Sequence, residues 1–513
     1  MRQPTGAARE VELKLHLDPG NAARLRHHPA LRAARAGPAR IERLAATFWD
    51  TPDRALAAAG IGLRLRAEGG RILQTVKTAG AGAGLYDRPE WTTPVPGDSP
   101  DAAALAETPA GGVADPANLV PVFTTDFVRA AWPLAGTGWT AEMALDLGVI
   151  RAGGATAPVA EVELELTSGP VRPLFDLAQR LNATVPLTLA ARDKAEHGYR
   201  LAAGAGPAPE KAPRVPLAPA TPAGDAFATV ARACLRQMVR NAEAILHTGD
   251  AEAVHQFRVG TRRLRSAIDT FKPLVNDPES RAIKDRLGDL ARACGDARDL
   301  DVMLAEVVDP VRPVFRDWPG LESFRATVVR RRNRAYEQAR DALRDPAFPA
   351  LLLETARWIE AGAWRDGPAA PETDDPAEEP VHPFAQRVLK KRFKAVHKTG
   401  RDFDALDAAG LHRLRVRVKK LRYATEFFAA LFDGNKSAKF HRRLKALQDA
   451  LGHINDLYQA TATAHAVTRA TDNPATAEAA GGVAGWCAAG HDTARHDARR
   501  AWKAFAKRRP FWK

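Results

Sequence analysis

The chain is short of sulfur and of long apolar runs. Three cysteines, Cys234, Cys294 and Cys487, are scattered through 513 residues. So few, so spaced, they exclude a disulfide framework and a thiolate metal centre and fit a reducing cytoplasm. No run of about 18 apolar residues occurs, so no membrane insertion is expected. Met1–Arg9 has no apolar stretch, so no secretory signal is expected. Aromatic residues make up 7% of the chain and rarely interleave with basic ones. With no recognised nucleic-acid motif, this argues against a specific nucleic-acid partner.

Charge is abundant and unevenly spread. Residues 1–200 carry 22 basic and 22 acidic side chains, so the net charge of +14 resides in residues 201–513. Such a half attracts a polyanion: nucleic acid, polyphosphate or an anionic membrane surface.

The first 200 residues read as short strands with few helices. In Glu10-Val11-Glu12-Leu13-Lys14 the charged residues share one strand face and the apolar pair the other. The same alternation recurs at Arg64-Leu65-Arg66, around Arg88 and Glu90, at Glu142 and Asp146, and at Glu161, Glu163 and Glu165. Strands are expected at 41–49, 62–67, 71–77, 123–132, 141–147 and 159–166, with a hairpin turn at Gly69-Gly70. Helices are expected over 21–35 and 171–181. The basic set is Lys14, Arg64, Arg66, Lys77, Arg88, Arg129 and Lys194; the acidic set is Glu10, Glu12, Glu142, Asp146, Glu161, Glu163 and Glu165. Antiparallel strands closing on themselves bring such faces into one lumen. Arg and Lys there suit phosphate oxygens, and carboxylates beside phosphate call for a hard divalent cation, Mg²⁺ or Mn²⁺.

Residues 8–200 resemble the CYTH superfamily, the triphosphate tunnel enzymes. The ExExK opening stands as Glu10, Glu12 and Lys14, the paired-Arg strand as Arg64 and Arg66, the following Lys as Lys77, and the late acidic strand as Glu161–Leu166. The segments LDLG at 145–148 and DKAEHGYRL at 193–201 supply Asp146 and Lys194. The resemblance implies an antiparallel β-barrel tunnel and metal-dependent hydrolysis or cyclisation of triphosphates. It casts Glu10, Glu12, Lys14, Arg64, Arg66, Lys77 and Lys194 as catalytic, and the seven basic residues as triphosphate-binding. Metal would fall to Glu10, Glu12, Asp146 and two of Glu161, Glu163 and Glu165.

Beyond an Ala/Pro linker at 202–224 the pattern turns helical, and a proline-rich acidic break at 366–383 divides it into halves 225–365 and 384–513. The halves are copies. His255, Arg258, Arg262, Arg263 and Arg265 match His412, Arg415, Lys419, Lys420 and Arg422 at an offset of 157, which also pairs Phe271 with Phe428 and Asp299 with Asp456. At about 100° per residue, His255, Arg258, Arg262 and Arg265 fall within an arc of roughly 80°, opposite Phe257, Leu264 and Phe271. Four cations on one stripe repel one another, so their recurrence in both copies points to an anion-binding face. The region resembles the CHAD domain through this helix and through GDARDLDV at 295–302, echoed as GHINDLYQ at 452–459. That resemblance implies paired four-helix bundles around a basic groove that binds inorganic polyphosphate.

The expectation is thus an α+β tunnel domain over 1–201 that hydrolyses inorganic triphosphate with Mg²⁺ or Mn²⁺, followed by an all-α polyphosphate-binding region. A cytoplasmic location with association to polyphosphate granules goes with it. The alternatives are an adenylate cyclase or thiamine triphosphatase, for which Trp49, Tyr86 and Trp91 are the stacking candidates, and a non-catalytic polyphosphate binder.

Overall fold

The charged alternation of the first 170 residues is realised as eight antiparallel strands closed into a barrel. The structure is a computed structural model that describes residues 8–78, 80, 84–315, 317–365 and 375–512. The expectations for residues 1–7, and for the part of the acidic break at 366–374, lie outside the described residues. The strands are β1 (Ala8–Leu17), β2 (Arg40–Asp50), β3 (Ile61–Glu68), β4 (Arg71–Thr78), β5 (Leu85–Val95), β6 (Val120–Gly136), β7 (Trp139–Ala152) and β8 (Ala155–Ser168), with a short β9 (Leu187–Leu189). Their order is β5-β4-β3-β2-β6-β7-β8-β1-β9, and β1 also pairs with β5, which closes the barrel. Gly69 and Gly70, at φ 57° and 76°, form the expected β3–β4 turn, where both central residues need positive φ. Strands β6, β7 and β8 run beyond the expected limits because their ladders continue to the hairpin turns.

The lumen face carries the charged residues together with Phe48 and Phe127, and on the β2–β6 side the outer face carries the exposed Arg43–Asp126 ion pair. The faces alternating with the charged residues are covered from outside: Leu63 and Val76 join Leu56, Leu105 and Ala110 in one cluster. Helix α1 (Arg172–Asn182) buries Leu174, Phe175, Leu177 and Leu181 and packs on β8 and β9. The helix expected over 21–35 is two short ones, Ala22–Arg26 and Pro29–Ala34. Pro29 forces His28 into extended backbone, and the His28 side chain caps the second helix.

The rest of the chain is helical, and the duplication is visible in its elements. After α2 (Lys194–Ala202) come α3 (Ala223–Thr248), α4 (Ala251–Thr270), α5 (Pro278–Ala293), α6 (Gly295–Met303), α7 (Leu321–Arg344) and α8 (Ala347–Ala361). Then follow α9 (Val381–Gly400), α10 (Ala408–Phe427), α11 (Gly434–Ala470) and α12 (Pro474–Ala506). Both ends of α4 and α10 differ by 157 (408 − 251 and 427 − 270), and so do their N-caps, Asp250 and Asp407. The first copy breaks between α5 and α6 at Cys294, whereas α11 runs straight through the equivalent position. At the centre, Phe271 packs 5.6 Å from its equivalent Phe428, 5.1 Å from Phe384 and 5.5 Å from Phe227 (ring centroids). Phe227 and Phe384 are also 157 apart.

The chain forms two compact units that interleave in sequence. The first holds the barrel to Glu210 with Leu235–Thr248 of α3 and Asp345–Gly362; the second holds Lys211–Cys234, Gly249–Arg344 and Ala363–Lys513. Among the described residues no helix is long and apolar enough to cross a membrane.

Helix α2 meets one end of the barrel through a close approach. Phe48 and Phe123 stack 4.4 Å apart, Tyr199 meets Phe123 edge-on at 5.2 Å, and a Cβ on Gly198 would come within 2.1 Å of the Phe123 ring. Replacing Gly by Ala inside a helix normally stabilises by about 0.5–1 kcal/mol. Here the sign is expected to reverse, with Gly198→Ala costing about 1–3 kcal/mol by overpacking. Scanning calorimetry checks this, and Phe123→Ala in the same chain is expected to cancel most of the loss specific to Gly198→Ala.

Candidate active site and anion-binding groove

Strand register builds the lumen. Across β1 and β8 Lys14 faces Glu163 and Glu12 faces Glu165; across β1 and β5 Glu10 faces Arg88. Asp146 faces both Glu161 and Arg129, and Lys77 faces Glu90. All seven predicted cations, Lys14, Arg64, Arg66, Lys77, Arg88, Arg129 and Lys194, line one cavity of about 630 Å³. Of the predicted acids Glu10, Glu163 and Glu165 line it too, whereas Glu12, Asp146 and Glu161 do not.

The charges form two ion-pair clusters joined at Glu12. In the first, Arg129 holds both oxygens of Asp146 at 2.7 Å and reaches Glu163 at 2.5 Å. Lys194 bonds Asp146 and Glu163 at 2.8 Å and also pairs with Glu161. Lys14 bonds Glu163 and lies 2.9 Å from Glu12. In the second, Lys77 bonds both oxygens of Glu10 at 2.8 Å and pairs with Glu90 at 2.9 Å. Arg88 reaches Asp193 at 2.7 Å, Glu12 at 3.2 Å and Glu10 at 3.6 Å. Arg66 pairs with its strand neighbour Glu68.

Electrostatics follow from this pairing. Burial works to raise the Glu163 carboxyl, yet Lys14, Lys194 and Arg129 hold it well below the usual range. Glu10 is likewise lowered, Lys77 and Lys14 outweighing burial. Glu12 goes the other way, raised by burial and by Glu163 and Glu10 against the pull of Lys14. Glu165 is pushed up to about 7 by burial and by Glu10 and Glu12. Arg64 is pushed down, by burial and then by Arg66. Neither Arg64 nor Glu165 makes an ion pair among the described residues; Glu90 and Glu10 act on Arg64, and Lys77 on Glu165, from a distance.

The donor set fits a hard cation in its chemistry: Glu10, Glu12 and Glu165 are oxygen donors whose mutual repulsion a divalent ion would relieve. Among the described residues, no three of the carboxylates, histidines or cysteines converge on one point as they stand, because Lys and Arg occupy their oxygens. Asp146 and Glu161 are taken up deep in the first cluster by Arg129 and Lys194.

Sequence reasoning missed several participants. Asp193 caps α2 and pairs with Arg88; its spacing to Glu196 is a helix-start signal that was there to be used. Arg236 and Arg240, from the C-terminal part of α3, also line the cavity, and nothing in their local sequence ties them to a barrel. Of the aromatic candidates, Tyr86 lines the cavity beneath Arg88, while Trp49 and Trp91 pack against the outer cluster.

In the second unit α4 and α10 bring their stripes within electrostatic reach of each other. Burial lowers Arg415, with Asp456 and Asp299 opposing and Arg262 of the other copy adding to the shift. Lys419 is pushed down to about 7 by burial, Arg415 and Arg262. His255 is lowered by burial and Arg298. Arg258 donates to Gly295 O at 2.7 Å, and Arg265 lies over Gly288. Arg263 turns inward, buried 5.5 Å over the Phe427 ring. Lys420 pairs with Asp269 at 3.0 Å, Arg422 with Glu426 at 3.1 Å, and His412 is exposed.

Comparison with known proteins agrees with this architecture. Residues 8–199 match the CYTH domain and residues 229–465 the CHAD domain. An inorganic triphosphatase of Haemophilus influenzae is 36% identical over 157 residues, 30% of this chain and 45% of that protein's length. An uncharacterized protein of Mycobacterium tuberculosis is 28% identical over 458 residues, 81% of this chain and 80% of the relative. The crystal structure of the CHAD domain from the plant Ricinus communis superposes with a TM-score of 0.52 at 29% identity, covering 59% of this chain and 98% of that one. The chain therefore carries a CYTH domain followed by a CHAD domain.

The Glu165 carboxyl makes a prediction for metal-free protein. Its folded value lies above the ordinary 4.5, so the folded state keeps the proton longer as pH rises. Stability is lost between about pH 4.5 and 7, and the penalty is complete above 7. Glu165→Gln is expected to leave the melting temperature unchanged at pH 4 and raise it above pH 7. Because the residue is solvent-accessible, screening limits the gain to about 1 kcal/mol, or about 2–4 °C. Thermal melts in chelator across pH 4–8 test it.

Proposed function

We propose that the barrel hydrolyses inorganic triphosphate with the help of a divalent metal, and that the basic groove of the helical region binds inorganic polyphosphate. One observation carries the reading: seven cations and a set of repelling carboxylates share one closed lumen. Arg64, Arg66, Lys77 and Arg88 grip phosphate oxygens, Arg by paired N–H donors. Lys14, Arg129 and Lys194, held in place by Glu163 and Asp146, meet the charge that develops on the transferred phosphoryl group. Phosphoryl transfer asks little covalent chemistry of the protein, so positioning and charge suffice. Glu10, Glu12 and Glu165 would hold Mg²⁺ or Mn²⁺, which would supply neutralising charge on the phosphates and a water of lowered pKa. A cytoplasmic location with granule association is part of this reading, in keeping with three buried, unpaired cysteines.

The deciding assay is phosphate release from tripolyphosphate, ATP and thiamine triphosphate, with and without Mg²⁺ or Mn²⁺. Tripolyphosphate is expected to be preferred and chelator to abolish turnover. Glu10→Ala or Glu12→Ala is expected to lower kcat at least about a hundredfold. Arg64→Ala is expected to raise KM about tenfold or more. Wild-type rates in both Glu variants at limiting metal would remove the metal from the model.

For the groove, the full chain is expected to bind long-chain polyphosphate with an affinity that falls steeply with salt. Arg262→Ala with Arg415→Ala is expected to reduce the salt slope by about 2 and to weaken binding more than either alone. Binding at pH 8 is expected to take up a proton, because a bound anion restores the charge that Lys419 has shed, and Lys419→Met is expected to abolish that uptake. Calorimetry in two buffers of different ionisation enthalpy reads it. Equal displacement by DNA of matched charge would leave only a generic basic surface.

A further inference from the structure

The cavity extends past the seven lumen cations. At about 630 Å³ it lies within the roughly 300–1,000 Å³ range of sites that enclose drug-sized ligands, more room than a linear triphosphate needs. Gly80, Tyr86, Ala191, Arg236 and Arg240 line the same cavity. The Tyr86 ring lies 4.9 Å under the Arg88 guanidinium, and a Cβ on Gly80 would come within 2.7 Å of it. Arg236 Nη1 lies 3.5 Å from Gly80 O.

The two arginines of α3 at this wall differ in how far they are satisfied. Arg240 donates to Glu196 at 2.5 Å, to Glu210 at 2.7 Å and to Ala191 O at 3.1 Å. Its donors are spent on structure. Arg236 approaches Glu210 only at 3.7 Å, and its buried Nε has no hydrogen-bond partner among the described residues. Burial and the neighbouring Arg240 both work against its charge. That Nε is enclosed, so the donors open to a ligand are the terminal nitrogens, whose one hydrogen bond among the described residues is the long one to Gly80 O; donors unspent beside a cavity are relieved by an anion. The same wall is poorly made for an organic base. The Tyr86 face is covered by Arg88, and Trp49 and Trp91 are on the outside of the barrel.

We infer that Arg236 forms an additional phosphate subsite at this end of the tunnel, so that the barrel takes linear inorganic phosphates of four or more units in preference to triphosphate. The inference rests on the triphosphatase reading for the position of the first three phosphates. Arg236 acts here in specificity, and nothing in its placement makes it catalytic.

The test is calorimetric binding of tripolyphosphate and tetrapolyphosphate, with ATP as a third ligand, to the full chain in chelator at fixed salt. Wild type is expected to bind tetrapolyphosphate about tenfold more tightly than tripolyphosphate, the worth of one charge-assisted contact. Arg236→Ala is expected to erase that advantage and Arg236→Lys to restore part of it. Equal binding of the two phosphates by wild type would overturn the proposal, whatever the variants do. So would an equal loss for both in a folded Arg236→Ala, or a loss for ATP as large as for tetrapolyphosphate. Tripolyphosphate hydrolysis is measured separately. A tetrapolyphosphate advantage without any hydrolysis would sink the triphosphatase reading and leave the subsite standing.

Discussion

The barrel depends on one register. Strand β1 pairs with β8 on one side and β5 on the other, and these ladders set opposite charges across from each other in a lumen where Glu12 and Lys14 are nearly inaccessible. An isolated charge in such a place costs several kcal/mol, and only close partners with good geometry offset it. Sliding β1 by one residue would put Val11, Leu13 and Leu15 into the lumen and the carboxylates against the outer core, because side chains alternate with a period of two. The apolar exterior and the charged interior thus enforce the same register from both faces. This is why a lumen so rich in charge is compatible with a stable sheet.

That pairing is almost, but not wholly, complete. Arg64 on β3 and Glu165 on β8 remain without ion-pair partners among the described residues, and their ionisation shifts in opposite senses: Arg64 downward, Glu165 upward. Both residues line the cavity.

The fold was legible wherever a residue's role is fixed by its immediate neighbours. Alternation exposed β1, β3 and β8, Gly69-Gly70 exposed the hairpin, and the constant offset exposed the duplication. What local pattern could not reveal is closure and interleaving. That β1 meets β5, and that Arg236 and Arg240 on α3 border the tunnel cavity, depends on contacts far apart in sequence. The deep capture of Asp146 and Glu161 by Lys194 is of the same kind, since it needs the position of α2. Phe227 and Phe384 are an instructive omission. They share the offset of 157, but the signature helix begins beyond them, so only their packing against Phe271 reveals their place.

The helical unit resolves its charge problem by a different route. There the stripes carry one sign, and acidic partners reach only some of their members, Lys420 through Asp269 and Arg422 through Glu426 among them. Phe271 and Phe428 immediately follow α4 and α10 and pack against each other, so the duplicated core that joins the copies also brings like charges into range. Burial, then Arg415 and Arg262, push the Lys419 ammonium down to about 7 against the pull of Asp456. The copies are not symmetric. His255 lies in the field of Arg298, whereas the second copy has Asn455 at the equivalent position. The two copies therefore differ in charge at this position.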